Sequence, residues 1–168
     1  MSVVDRAGHI VNDLVGSVLP AGARRHRPQT MTIARPRSEV ERFWRDPESL
    51  SRVLGEFGEV RPNHPGGVEW VLDPDSEDPV VWRSDLVVES ASIRFFGPGD
   101  DGSAPVTISF ADAPGDLGTE VKIEFTGPVP EIMSRAMAFK ALYRARALMQ
   151  TGEIPTIRHN PSARESAR

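Results

Sequence analysis

Residues 119–151 read TEVKIEFTGPVPEIMSRAMAFKALYRARALMQT, and the spacing of the apolar residues changes within this segment. The first seven residues alternate, with Val121, Ile123 and Phe125 on one side and polar residues on the other, which predicts a strand buried on one face. Residues 131–151 contain neither proline nor glycine, which predicts a helix about 30 Å long. A one-sided sheet must bury its apolar face, and this helix is the only predicted element large enough to cover it.

The predicted long helix has a stop signal and an apolar stripe. Gly152 is expected to cap its last turn in the left-handed conformation, and Pro155 prevents the helix from continuing. Helical spacing collects apolar residues on a wide stripe, which we expect to face the sheet. The stripe consists of Ile132, Ala136, Phe139, Tyr143 and Ala147, with Ala138, Leu142, Ala145 and Met149 beside it.

Six further segments upstream are predicted to form strands. They are residues 29–34, 57–61, 68–72, 80–89, 92–96 and 106–110. In the longest of them, Trp82, Leu86 and Val88 fall on one face and charged residues fall on the other. The segments between the later strands are rich in glycine, proline and aspartate, which favours an antiparallel meander.

Two short helices are predicted between the first and second strands. Ser38 and Glu41 have the spacing of a capping box, and Asp46 followed by Pro47 has the pattern of a second helix start. Their apolar faces consist of Val40, Phe43 and Trp44 in the first helix and Leu50, Val53 and Leu54 in the second. The predicted order is therefore one strand, two helices, six strands and one long helix, an α+β fold.

Composition and charge exclude several classes of function. The chain has 168 residues, 39% of them hydrophobic, and this length favours a single domain with its own core. Cysteine is absent, which excludes disulfides and thiolate metal sites, and we expect no metal or cofactor. Between residues 28 and 157, 21 acidic residues outnumber 13 basic ones, which argues against a nucleic-acid partner. No apolar run reaches the length of a membrane span, and we expect a cytoplasmic protein.

The two ends of the chain differ from the acidic body. In residues 1–27, apolar residues at helical spacing precede the basic cluster at residues 24–27. This segment is predicted to be an arm that docks on its own domain, docks on a partner or stays loosely ordered. Contact with an anionic membrane surface is the alternative, which we do not favour. Residues 158–168 are predicted to be a disordered tail.

Three segments of the sequence carry a family resemblance. They are residues 32–50 (TIARPRSEVERFWRDPESL), 118–121 (GTEV) and 151–156 (TGEIPT). In this order they resemble the bacterial cyclase/dehydrase-type branch of the START, polyketide cyclase/dehydrase and lipid-transport superfamily (SRPBCC). The resemblance implies a helix-grip fold over residues 28–157, in which a curved antiparallel sheet wraps around the C-terminal helix and encloses an apolar cavity. It also implies a family whose members mostly bind hydrophobic small molecules.

The candidate ligand-binding residues are those that the alternation and the helix turn toward this cavity. Aromatic and methionine side chains suit an adaptable apolar pocket, and an arginine beside the apolar stripe could contact a ligand head group. The same side chains would also suit a packed core. The predicted set is Trp70, Trp82, Leu86, Phe95, Ile108, Phe110, Ile123, Phe125, Met133, Met137, Phe139, Tyr143 and Arg146.

Candidate catalytic residues are few. The four histidines lie in the N-terminal segment, a proline-rich turn and the C-terminal tail, and no nucleophile or metal motif is present. We therefore predict binding of a small hydrophobic or amphipathic ligand, such as a lipid, a quinone or a polyketide-like molecule, without chemistry. Two alternatives stay open. One is a polyketide cyclase/aromatase or dehydratase, and the other is a protein-interaction module whose filled core leaves no cavity of about 300 Å³ or more.

Overall fold

A computed structural model describes residues 27–98, 105–126 and 135–154 of the chain. It contains seven strands and three helices in the predicted order. The strands are β1 (Gln29–Ile33), β2 (Gly58–His64), β3 (Gly67–Leu72), β4 (Val80–Val88), β5 (Ser92–Phe96), β6 (Val106–Asp112) and β7 (Thr119–Phe125). The helices are α1 (Arg37–Arg45), α2 (Pro47–Leu54) and α3 (Arg135–Thr151).

All seven strands form one curved antiparallel sheet. Its strand order is β1-β7-β6-β5-β4-β3-β2, so the first strand pairs with the last and α1 and α2 carry the chain to the opposite edge. Strands β2 to β7 follow each other as neighbours, as the predicted meander requires. The α+β helix-grip architecture predicted from the sequence is therefore confirmed.

The sheet buries one face, and the helices pack against it. In β7, Val121, Ile123 and Phe125 are buried while the charged residues between them are only partly buried. The neighbouring strand continues this surface, because Ile108 pairs with Ile123 and Phe110 pairs with Val121. The main core thus lies on the inner face of the sheet, beneath the helices.

The two short helices begin differently. α2 begins as predicted, because the Asp46 carboxylate accepts hydrogen bonds from the Ser49 backbone amide at 2.8 Å and from its hydroxyl at 2.6 Å. These bonds hold the pKa of Asp46 below its ordinary value. The capping box predicted for α1 is wrong. Ser38 lies inside the helix, and the Glu41 carboxylate instead pairs with Arg37 and Arg45, one turn away on either side.

α3 turns a different face to the core from the predicted one. Phe139 and Tyr143 of the predicted stripe are 52% and 48% exposed. The buried face is made mostly of small residues, namely Ala138, Ala141, Leu142, Ala145 and Leu148. Ala138, Leu142 and Ala145, which were predicted beside the stripe, are thus buried, while the centre of the predicted stripe faces outward. The three buried alanines suit the close packing of α3 against β1 and α2. The predicted end of the helix is confirmed, since the Gly152 amide, at φ +79°, donates to the Leu148 carbonyl at 2.9 Å.

Several sequence predictions fall outside the described residues. They concern most of the N-terminal arm, the C-terminal tail and the beginning of the long helix before residue 135. Within the three described ranges, no helix is long and apolar enough to cross a lipid bilayer. The same ranges contain no group of three histidine or carboxylate side chains that could hold a metal ion.

Candidate functional site

An apolar cavity lies between the inner face of the sheet and the three helices. Its volume is about 50 Å³. The sheet contributes five lining residues, and the helices contribute the rest. The lining residues are Trp44 from α1, Leu50, Val53 and Leu54 from α2, Trp70 from β3, Val106 and Ile108 from β6, Ile123 and Phe125 from β7, and Met137, Ala138 and Ala141 from α3.

The wall of this cavity offers almost no polar chemistry. None of its described lining side chains is an acid, a base or a nucleophile. The polar side-chain groups among the lining residues are the indole N–H groups of Trp44 and Trp70, and they differ in whether they have a hydrogen-bond partner. The Trp70 indole N–H donates to the buried Ser84 hydroxyl at 3.0 Å, whereas the Trp44 indole N–H is buried and has no acceptor among the described residues. The cavity can therefore hold an apolar group by contact with apolar and aromatic side chains.

Aromatic side chains beside the cavity fix the position of Trp70. The Phe95 ring meets the Trp70 ring edge to face, with centroids 5.2 Å apart, and the Trp82 ring lies 5.8 Å away. Trp82 is paired with Trp70 across β3 and β4, and Phe95 follows on β5. These contacts and the bond to Ser84 leave Trp70 little freedom, so it forms a rigid part of the wall.

Five of the predicted ligand-binding residues line the cavity. They are Trp70, Ile108, Ile123, Phe125 and Met137. Phe95 and Phe110 are buried in the core without lining the cavity, and Trp82 and Leu86 are only partly buried beside the core. Binding of a ligand by these residues stays a prediction.

The remaining predicted residues do not meet the cavity in the described structure. Phe139 and Tyr143 lie at the surface, because α3 is rotated relative to the predicted stripe. Arg146 is also exposed, and its guanidinium donates to the Gln150 side chain at 3.0 Å. Val88, which the alternation predicted to be inside, is exposed at the end of β4. Met133 lies outside the described residues.

The prediction missed seven lining residues. They are Trp44, Leu50, Val53, Leu54, Val106, Ala138 and Ala141. The apolar faces of α1 and α2 were visible as helical spacing, which placed four of these residues in a core. Their position at the cavity depends on how both helices pack on the sheet, which local spacing does not specify. Ala138 was predicted beside the apolar stripe of the long helix but not as a ligand-binding residue, and Ala141 was not part of the predicted apolar face.

A surface groove is the second concave region, and it is less suited to a ligand site than the apolar cavity. It is an open groove of about 590 Å³ between α1, α2 and the end of α3. Charged residues of both signs border it, together with three apolar side chains. Its lining residues are Glu39, Arg42, Phe43, Asp46, Ser49, Arg52, Leu148 and Met149. The apolar cavity is therefore the better candidate.

The resolved shifts in pKa among the described side chains also lie outside the cavity. The Arg94 guanidinium and the Ser92 hydroxyl lower the pKa of Glu89, and Arg61 lowers the pKa of Glu59. Both carboxylates belong to exposed ion pairs. Perturbed pKa values often mark catalytic groups, but these shifts have a simple structural cause on the surface.

Comparison with known proteins supports the fold. The sequence matches no protein-family model, and no curated protein matches it. The solved structures that are similar to it include proteins from three organisms. A protein from Deinococcus radiodurans is 22% identical, with 75% of this chain and 97% of that chain covered and a TM-score of 0.55. A protein from Chromobacterium violaceum is 20% identical over 73% of this chain and 94% of that chain, with a TM-score of 0.53. A protein from Mycobacterium smegmatis is 19% identical over 74% of this chain and 90% of that chain, also with a TM-score of 0.53.

The structural similarities and the observed topology agree with the fold that the three sequence segments implied. The curved antiparallel sheet and the long C-terminal helix are the features that the resemblance implied, and the two short helices after β1 were predicted from the residue pattern. Identities below a quarter support a common fold and leave function open. The chain therefore has the α+β helix-grip fold that the sequence resemblance implied.

Proposed function

We propose that this protein binds a small hydrophobic molecule between the sheet and the helices and does no chemistry on it. The supporting observation is the cavity wall, whose described side chains are all apolar or aromatic and come from every layer of the domain. An apolar wall with very few polar groups is typical of sites that hold a ligand by burial. Burial of apolar surface then supplies most of the binding free energy.

The size of the cavity sets a condition on this function. Drug-sized ligands occupy about 300 Å³ or more, whereas the cavity has about 50 Å³. A lipid or quinone therefore needs the wall to move. Met137 suits such a movement because it is only partly buried and has a flexible, unbranched side chain. We expect the pocket to widen on binding, with α3 and Met137 as the yielding side.

A matched pair of variants tests the proposal. Ala138 lines the cavity, whereas Ala136 is exposed on the same helix. We expect Ala138→Leu to fill the cavity and to weaken binding of the uncharged fluorescent probe N-phenyl-1-naphthylamine by about tenfold, while Ala136→Leu leaves it unchanged. Fluorescence titration gives the Kd, and circular dichroism checks that both variants fold. Absence of binding by the wild type, or equal binding by all three proteins, contradicts the proposal.

The small cavity volume also supports a second candidate, a protein-interaction module with a filled core. In that case the wild type binds no apolar probe, and Ala138→Leu changes only stability. The cyclase or dehydratase alternative needs an acid or a base beside the substrate. The described lining residues supply neither, so the observations favour binding over catalysis.

Transport of a lipid and a cytoplasmic location stay predictions from the sequence, as does the disfavoured membrane contact through residues 1–27. Cosedimentation of the full chain with anionic vesicles tests the membrane contact. Equal sedimentation with and without residues 1–27 would rule out that segment as a membrane anchor.

A further inference from the structure

The side chain of Arg144 joins α3 to the end of α2. Its guanidinium Nη1 donates to the Leu54 carbonyl at 2.7 Å and to the Val53 carbonyl at 3.2 Å. The last carbonyls of a helix lack a donor within the helix, and a cationic side chain there is favourable. Nη2 lies 3.3 Å from the Glu56 carboxylate, and the Arg144 side chain is only 17% exposed. We call these contacts the Arg144 clamp.

Gly55, directly after α2, leaves space for the Arg144 clamp. Its φ is +58°, and a Cβ atom at this position would overlap Arg144 Nη1. The Phe57 ring lies next to the same guanidinium, with its centroid 5.6 Å from Arg144 Cζ and 4.1 Å from Lys140 Nζ. A side chain at position 55 would therefore push the guanidinium away from the two carbonyls that it binds.

The Arg144 clamp holds two parts of the cavity wall together. The side chains of Val53 and Leu54 line the cavity, and their carbonyls accept the bonds of the clamp. On α3, Ala141 lines the cavity about one turn before Arg144. The sheet side of the wall belongs to β3, β6 and β7, each of which is bonded to a strand on both sides. Separation of α2 from α3 therefore widens the cavity without breaking the sheet, and this movement breaks the clamp.

We propose that Arg144 limits the size of the ligand that the cavity accepts, because a ligand larger than the closed cavity must break the Arg144 clamp to bind. This inference rests on the proposed function and adds a specificity-determining residue that is not among the lining residues. The clamp then opposes binding of a large ligand and leaves a small one unaffected. Loss of the clamp should improve binding of large ligands even though it destabilises the domain. A merely structural role predicts no such gain.

Two apolar probes of different size test this limit. Xenon enters small apolar cavities, whereas the three aromatic rings of N-phenyl-1-naphthylamine exceed a cavity of about 50 Å³. We expect Arg144→Met to lower the Kd of N-phenyl-1-naphthylamine about tenfold and to leave the Kd of xenon within about twofold. Fluorescence titration measures the first Kd, and nuclear magnetic resonance shifts under xenon pressure measure the second. Arg146→Met is the control, because the Arg146 guanidinium is exposed and donates to Gln150 on its own helix. It should change neither value.

A second pair of variants disturbs the clamp from the side of α2. Gly55→Ala displaces the guanidinium, whereas Gly152→Ala also has a positive φ, at +79°, and meets nothing within 4 Å. We expect Gly55→Ala to bind N-phenyl-1-naphthylamine more tightly than the wild type and Gly152→Ala to bind it equally. If circular dichroism shows that Arg144→Met does not fold, this pair decides.

The outcomes separate the two proposals. If no protein binds either probe, the proposed function fails, and the size limit fails with it. If the wild type binds N-phenyl-1-naphthylamine and neither Arg144→Met nor Gly55→Ala binds it more tightly, the function stands and the role of Arg144 is wrong. An equal gain in affinity for xenon and for N-phenyl-1-naphthylamine would also overturn the proposal, since a size limit acts on the larger probe alone.

Discussion

Gly118 lies just before β7, where the chain passes very close to the end of β1. Its φ is +112°, a conformation that residues with a side chain rarely adopt. A Cβ atom at this position would overlap the Ile33 carbonyl oxygen and would lie 2.7 Å from Ala34 Cα and 2.8 Å from Arg35 N. All three are backbone atoms, and β1 is held there because Ile33 pairs with Thr119. Substitution of Gly118 by alanine must therefore push the edge strand away or distort the turn.

The expected cost of Gly118→Ala follows from these contacts. The backbone conformation costs an alanine about 1–3 kcal/mol. Displacing β1 also threatens two hydrogen bonds, from the Arg35 amide to the Ile33 carbonyl at 2.7 Å and from the Thr119 hydroxyl to the Arg35 carbonyl at 2.9 Å. Each contributes about 1 kcal/mol. We expect a total loss of about 3–5 kcal/mol, a large part of the stability of a typical domain.

Gly115→Ala is the matched control for this prediction. Gly115 also has a positive φ, at +66°, but a Cβ atom there meets nothing within 4 Å. We expect Gly115→Ala to cost only about 1–2 kcal/mol of backbone strain. Urea denaturation followed by tryptophan fluorescence measures both free energies of unfolding. Equal losses in the two variants, within about 0.5 kcal/mol, would refute the argument that close backbone approach requires glycine at position 118.

Three further predictions concern the core, the cavity wall and a helix start. Leu142→Ala removes a fully buried side chain and should cost about 2–5 kcal/mol, whereas Tyr143→Ala on the exposed face should cost under about 1 kcal/mol in the same denaturation assay. Ser84→Ala leaves the Trp70 N–H unpaired, so we expect a loss of about 1–3 kcal/mol and a changed Trp70 indole resonance. Asp46→Ala should cost about 1 kcal/mol at pH 7. Because the folded-state pKa of Asp46 is lowered, this difference is present above about pH 4 and should shrink as the pH falls below it.

Local rules predicted β5, β6 and β7 well because each of these strands buries one face only. In β7 and β5 the predicted and observed bounds coincide, since the backbone alternates its side chains regardless of what packs above them. The start of α2 was also predictable, because the Asp46 carboxylate accepts a hydrogen bond from the backbone amide of Ser49, only three residues away. The capping box predicted at Ser38 and Glu41 is wrong, because Ser38 lies inside α1 and the Glu41 carboxylate pairs with Arg37 and Arg45.

The sequence by itself determined the order of strands and helices, the inner face of the sheet and the ends of most elements. These follow from backbone geometry and from contacts between residues near each other in the chain. Only the tertiary structure decided that Phe139 and Tyr143 of the predicted α3 stripe are exposed, and which side chains enclose the cavity. Ala138 and Ala141 of α3 and Trp44 of α1 line the cavity together, although they come from distant segments of the chain. Both results depend on where distant segments meet, which the spacing of apolar residues along one segment does not encode.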